Sequence, residues 1–347
     1  ELAELPALER ALLEQVLSAL HIARAAAEPV RPAALEAREK YVRGKQAFLR
    51  GVYDEAIRLG QEALQRAPDF ADAVGLVGVC LARLGRYDEA RAQHERLAAL
   101  ARQRGDVHLQ IEALANLGVM EYYRGRYDAA KAHYAEAARL AEEAGLETEH
   151  AKVANNLGFV LFRLGRPREA ERAFLQAIDT HKAYGGLTSL VGPFNGMGNV
   201  LAEQQRYAEA REYYQRALAL AGEIGDRTSV GTTHMHIGRC AALEGHFADA
   251  KHEFTMALNA LEETRFWNGL ARAYEYIAEM HVQLENYDEA VRCADKRIEL
   301  ARQHANLRIE AAAWQQKADA LRRAGRKDEA AAAQAQAANL TERVPRE

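Results

Sequence analysis

Apolar residues along this chain recur in pairs of segments, each with the spacing of one helix face. Residues 148–164 carry one such stripe, and residues 167–184 carry the next. Gly165 between them favours a left-handed helix end, and Pro167 suits the first turn of a new helix. We therefore predict two antiparallel helices joined by a tight turn.

The same pair of segments returns at a fixed period. An alanine closes a short phrase such as YDEA, FADA or KDEA at eight positions; the first two are 34 residues apart and the later ones 40. These positions are Ala56, Ala90, Ala130, Ala170, Ala210, Ala250, Ala290 and Ala330. Twelve residues before each stands another small residue: Gly44, Gly78, Gly118, Gly158, Gly198, Gly238, Ala278 and Ala318. We predict that both positions are small because the paired helices cross there.

An aromatic residue follows four residues after several of the repeated alanines. The aromatic residues are Tyr134, Phe174, Tyr214 and Phe254. At that spacing they lie on the same helix face as the alanine. We expect each of them to fill the gap between one helix pair and the next.

A fixed-period repeat marks a stack of units rather than a single globule. We predict an all-α fold, a right-handed α-solenoid of about eight helix–turn–helix repeats over residues 32–341. An extra N-terminal helix within residues 1–31 would cap the stack or connect it to another domain, and residues 342–347 form a tail. The predicted repeats are 32–67, 68–105, 106–146, 147–186, 187–226, 227–265, 266–305 and 306–341.

The composition narrows the function classes. With 49% hydrophobic and 28% charged residues, the 347-residue chain is typical of a soluble protein. Its net charge of −4 gives no general attraction to nucleic acid or to an acidic membrane. The three cysteines lie in different repeats, which favours the cytoplasm. No nucleotide-binding, hydrolase or metalloprotease motif is present, so we predict neither an enzyme nor a cofactor.

The pattern resembles the tetratricopeptide repeat, with its small residue in the first helix and alanines in the second. The resemblance covers residues 32–341. The family's signature tryptophan remains only at Trp314, and its proline between repeats only at Pro68. From Ala90 onward, six extra residues lengthen the two helices. This variant resembles the arrays of the kinesin light chain, of spindle-orientation adaptors and of the bacterial Rap family.

The resemblance implies that the first helix of each pair lines a concave groove. Asparagine is unfavourable inside a helix, yet five asparagines cluster at or beside the groove positions. They are Asn116, Asn155, Asn156, Asn195 and Asn199. Their amides offer a donor and an acceptor, which similar arrays use to hold the backbone of an extended peptide. Alternatively, these asparagines bridge helices or bind water.

Aromatic and cationic residues surround the asparagines. We expect side-chain pockets from the aromatic residues Tyr122, Tyr123, Phe159 and Phe162, although such residues at helical spacing are often core. We expect the cations to pair with an acidic residue or a C-terminal carboxylate of the ligand. The cations are Lys152, Arg163 and Arg239.

Two local features have alternative interpretations. His236 and Cys240 lie four residues apart and would share a helix face, near His234, but packing explains them and we predict no metal site. Pro193 falls inside an expected first helix. It marks either a hinge in the superhelix or a late start of that helix.

We therefore predict an adaptor that binds a protein or peptide partner and neither nucleic acid nor a membrane. The runner-up is a sensor segment of a larger bacterial signalling protein, such as a kinase, a transcription regulator or an NTPase. The missing initiator methionine favours this second hypothesis. The oligomeric state stays open.

Overall fold

The computed structural model describes residues 32–184 and 186–344. These residues form sixteen α-helices, arranged as successive antiparallel hairpins. The helices are α1 (Pro32–Leu49), α2 (Tyr53–Arg66), α3 (Ala71–Arg83), α4 (Tyr87–Arg104), α5 (Val107–Arg124), α6 (Tyr127–Glu143), α7 (Glu147–Arg163), α8 (Pro167–Ala183), α9 (Val191–Glu203), α10 (Tyr207–Glu223), α11 (Arg227–Leu243), α12 (Phe247–Glu263), α13 (Trp267–Gln283), α14 (Tyr287–Gln303), α15 (Leu307–Arg323) and α16 (Lys327–Arg343). The all-α solenoid is thus confirmed. The extra helix expected within residues 1–31 lies outside the described residues.

Tight turns join the two helices of each hairpin. Gly165, between α7 and α8, has a φ of 72°, so the predicted left-handed helix end is confirmed. Gln205 and Glu285 occupy the same place in their own repeats and also have positive φ, 61° and 56°. The turn geometry is therefore kept even where the sequence does not supply glycine.

The described chain divides into two compact units, the first up to Leu76 and the second from Val77 onward. In the first unit, α1 and α2 pack as a hairpin. Tyr41 meets Phe70 edge to face, with ring centroids 5.2 Å apart. An ion pair of 2.8 Å joins Lys40 on α1 to Glu62 on α2.

In the second unit, each landmark glycine of a first helix lies against a ring of the second helix in its own repeat. A Cβ placed on Gly118 would lie 2.7 Å from the ring of Tyr134, and one on Gly158 would lie 2.6 Å from the ring of Phe174. Phe174 also lies against Gly196 of the next repeat. The small residues therefore let the helices approach, and Phe174 fills the gap to the next pair as expected.

Pro193 lies in the first turn of α9. A short 3₁₀ helix, Leu187–Leu190, precedes α9. It occupies the positions at which the first helices of other repeats are already α-helical. Proline is tolerated in a first turn because the N–H that it lacks would have no partner there. The late helix start is confirmed.

The first helices of the second unit form its inner face. From α5 to α15, each first helix also contacts the next first helix, whereas no second helix in the described part of the chain is in comparable contact with the next one. The stack therefore curves with its first helices on the inside.

The curvature brings distant repeats together. We use the name seam for the contacts between residues 83–127 and residues 266–308. Asn268 donates to the Tyr87 hydroxyl (3.2 Å), and His304 Nδ1 lies 3.4 Å from the Leu84 carbonyl oxygen. Since neighbouring repeats also contact one another, the second unit closes into a ring around its inner face.

Candidate functional site

Tyrosine side chains from one wall of the ring reach its interior. Tyr122 and Tyr123 lie at the end of α5, with their rings 5.6 Å apart in an edge-to-face arrangement. Burial raises the pKa of each phenol, yet both side chains keep partial solvent exposure. The space around these half-buried rings lies on the inner face of the second unit. We call this space the central chamber.

Two arginines from the opposite wall face the same space. Arg272 on α13 lies within electrostatic range of Tyr122 and hydrogen bonds to Tyr276, one helical turn further on. Arg239 on α11 lies 4.7 Å above the centre of the Tyr276 ring. Its Nε is buried and has no hydrogen-bond partner among the described residues. Arg239 therefore keeps one guanidinium donor without a partner in the part of the chain that the structure describes.

Nearby carboxylates offset part of the positive charge of these arginines. Glu203 lies 3.9 Å from Arg239, at the far end of ion-pair distance. Glu275 forms an ion pair with Arg297, with a nitrogen–oxygen distance of 3.0 Å. Glu279 is exposed at its surface, but the protein around it and the nearby charge of Glu275 both raise its pKa. Arg272 itself makes no ion pair with any carboxylate in residues 32–184 or 186–344.

A histidine completes the chamber wall. His236 on α11 stacks on Tyr214 with ring centroids 5.5 Å apart and nearly parallel planes. Burial, with the charges of Arg272 and Arg239, lowers its pKa to about 3. His236 is therefore neutral at physiological pH and adds an aromatic surface rather than a cation.

A cleft of roughly 380 Å³ lies between α5 and α7 on the inner face. Three of the predicted site residues line it: Asn116, Lys152 and Asn156. Lys152 is exposed and pairs with Glu149 at 2.9 Å. The structure therefore brings these three side chains together, beside the chamber wall formed by the end of α5.

The other asparagines are engaged within the fold. Asn195 is only 8% exposed, and its amide donates to the hydroxyl of Thr233 in the next repeat (3.0 Å). Asn199 accepts from the Tyr214 hydroxyl at 2.8 Å. Asn155 donates to Asn156 at 3.2 Å, which leaves its own buried Oδ1 without a partner among the described residues. Of these three, Asn155 retains an acceptor for a ligand.

The remaining predicted residues pack against neighbours. Phe159 meets Phe174 edge to face at 4.9 Å, and Phe162 packs against the same buried cluster. Arg163 donates to the Tyr127 hydroxyl (3.1 Å) and lies over its ring. Arg163 remains exposed, so its charge is available near the end of α7.

The histidine–cysteine cluster serves packing. His234 Nδ1 pairs with Glu253 at 2.6 Å, and Cys240 is buried, with its pKa raised to about 11 by desolvation. In the described ranges, no three His, Cys, Asp or Glu side chains are grouped so that they could hold a metal ion. Nor is any helix described here long and apolar enough to cross a membrane.

Arg272 and Tyr276 are not among the site residues predicted from the sequence. Arg272 stands six residues before its landmark, Ala278, as Lys152 stands six before Gly158. Lys152 stands out in the sequence because its charge lies beside the asparagines, and Arg272 shares its register. Tyr276 lies two residues before the landmark and carries no signal of its own, because aromatic residues at helical spacing are usually core.

Closely packed helical hairpins of fixed period define the class of protein as an α-solenoid interaction scaffold. Models of the tetratricopeptide repeat match residues 69–143, 188–263, 150–184 and 311–343, together more than half of the chain. The chain belongs to the tetratricopeptide repeat family.

Solved structures share this fold. The apo form of RapI superposes with a TM-score of 0.60 at 15% identity, covering 77% of this chain and 98% of that one. A Rap protein complexed with competence and sporulation factor superposes with a TM-score of 0.59 at 15% identity, covering 89% of this chain and 98% of that one. The Rap conjugation gene regulator of plasmid pLS20, in complex with the Phr* peptide, superposes with a TM-score of 0.61 at 18% identity, covering 76% of this chain and 74% of that one. A search of curated protein sequences found no match.

Proposed function

We propose that the inner face of the second unit binds an extended peptide, which runs from the cleft between α5 and α7 to the central chamber. The observation that carries this proposal is the pair of unused polar atoms on that face. Asn155 Oδ1 and Arg239 Nε are both buried and unpartnered in the described chain. Such atoms are costly to leave unsatisfied, and a bound peptide backbone or carboxylate would satisfy both.

The surrounding side chains suit such a ligand. Partly exposed tyrosines, Tyr122 and Tyr123, offer aromatic surface, and Arg239 and Arg272 offer charge-assisted donors for a carboxylate. Of the Rap structures with the same fold, one is complexed with competence and sporulation factor and another with the Phr* peptide. At 15–18% identity these neighbours support the fold, and the ligand class is our inference.

Selection from a library of linear random peptides tests the proposal. Peptides of about twelve residues span at most roughly 40 Å when extended, enough to cross several helices. Selected peptides are synthesised, and their affinities are measured by fluorescence anisotropy. We expect Arg239→Ala and Tyr122→Ala to weaken binding at least tenfold, roughly the effect of losing one charge-assisted bond or aromatic contact.

Arg168→Ala provides the matched control. Arg168 is an exposed arginine on the second helix α8, away from the inner face, so its loss should leave affinity unchanged. Circular dichroism confirms that each variant is folded. The proposal is wrong if the library yields no binder, or if the inner-face variants bind as the wild type does.

A further inference from the structure

The seam has consequences for the kind of ligand that the inner face can take. It joins turns that are far apart in sequence. On one side lie the turns after α3 and α5, and on the other the turns before α13 and α15. Consecutive hairpins and the seam together form an unbroken circuit of protein around the central chamber.

Polar and aromatic contacts hold the seam at several separate points. Besides the Tyr87–Asn268 bond, Arg308 reaches the Arg124 carbonyl oxygen at 3.5 Å and lies 5.5 Å from the centre of the Tyr127 ring. Burial raises the pKa of Tyr87 to about 12, as expected for a phenol covered by the seam.

The backbone is shaped to allow this approach. Gly125 has a φ of 79°, and a Cβ there would collide with the guanidinium of Arg308. Gly85 has a φ of 78° and lies against His304, which in turn stacks on Trp267 at 4.4 Å. Glycines at these two turns therefore serve the seam as well as the turn itself.

We propose, building on the proposed function, that the ligand of the inner face is a linear peptide with at least one free end, which enters along the axis of the closed ring. A segment held at both ends by folded domains cannot pass through a closed circuit unless the seam opens. An open tetratricopeptide groove would accept both kinds of ligand. The seam thus selects for free peptides over internal segments of folded proteins.

A disulfide across the seam gives a direct test. An ideal Cβ on Gly85 lies 3.6 Å from Cβ of His304, within the range for a disulfide. The double variant Gly85→Cys/His304→Cys therefore locks the ring on oxidation. The three native cysteines are buried and should not compete. The reduced double variant and oxidised Gly85→Cys alone are the controls, since both keep the strain of a side chain at residue 85.

The probe is the tightest linear peptide from the random library, in two forms. One is synthesised with free ends, and the other is placed between two copies of ubiquitin. We expect the free-ended form to bind the oxidised and reduced ring equally well. We expect the doubly blocked form to bind the oxidised ring undetectably, because neither ubiquitin can thread through it.

Two results would overturn the inference. Equal binding of both forms to the oxidised ring would show that the ligand does not enter the ring. Loss of the free-ended form on oxidation would show that entry requires the seam to open. Failure of the proposed function would look different, since binding would then be insensitive to Arg239→Ala and Tyr122→Ala in the unlocked protein.

Discussion

Gly118→Ala should destabilise the protein although alanine is the better helix former. Tyr134 is 2% exposed and packs in a buried cluster with Ile111 and Val153. A Cβ at residue 118 would lie 2.7 Å from Cε1 and Cζ of Tyr134, whereas carbon atoms pack at about 3.5–4.0 Å. The ring would have to move by roughly 1 Å, and its neighbours leave little room. Overpacking costs about 1–3 kcal/mol and the better helix propensity returns about 1, so a net loss of up to about 2 kcal/mol follows.

Gly222→Ala is the matched control for the same substitution. Gly222 also lies within a helix, α10, but nothing stands within 4 Å of a Cβ placed there. This variant should gain about 0.5–1 kcal/mol from helix propensity alone. Urea unfolding followed by circular dichroism at 25 °C measures both changes as shifts in midpoint.

Removing the ring tests the mechanism. The chain itself has alanine at both equivalent positions of a later repeat, Ala278 and Ala294, sixteen residues apart like Gly118 and Tyr134. In a Tyr134→Ala background, Gly118→Ala should therefore become neutral or stabilising, a coupling of about 2 kcal/mol. If Gly118→Ala destabilises equally with and without the ring, steric contact with Tyr134 is not the cause and the reasoning is wrong.

Three further predictions concern titration, backbone strain and buried charge. Burial lowers the pKa of His94 to about 4 from about 6.5 when unfolded, so stability is full above pH 6.5 and falls by up to about 3 kcal/mol as the pH drops to 4. His94→Phe should flatten that part of a pH series of urea midpoints. Ala305 has a φ of 49°, so Ala305→Gly should raise the unfolding free energy by about 1 kcal/mol, visible as a higher midpoint. Arg297→Met should cost roughly 2–3 kcal/mol by leaving Glu275 unpaired, whereas Arg272→Met should be neutral or stabilising in the same assay; the reverse order would make Arg272 structural.

Local structure could be predicted from the sequence because its causes are local. The apolar stripes and Pro167 place α7 and α8 within one residue of their observed ends. Pro193 likewise signals the late start of α9, since proline cannot sit deeper in a helix without losing a hydrogen bond. Each of these features depends on residues within one or two turns of one another.

The candidate site was predicted less completely because side-chain partners lie a repeat or more away. The sequence predicts that Asn195 is free to bind a ligand, yet its amide donates a hydrogen bond to Thr233, 38 residues further along the chain. The seam is harder still, since Tyr87 and Asn268 are 181 residues apart. Their approach depends on a small rotation between neighbouring repeats that accumulates over the intervening hairpins, and no residue spacing records that rotation.

The chamber arginines differ in a way that bears on function. Arg297 is buried and uses its two terminal nitrogens, with Glu275 at 3.0 Å and Gln316 at 3.1 Å, while its Nε has no partner among the described residues. Arg272 lies one helical turn before Glu275, at a spacing where an ion pair could form, yet that carboxylate pairs with Arg297 instead. Desolvating a guanidinium without a carboxylate is costly, and replacing it with an apolar residue would often stabilise a fold. An arginine kept without an ion pair among the described residues inside the ring therefore fits the proposed peptide, which would bring a negative charge to it.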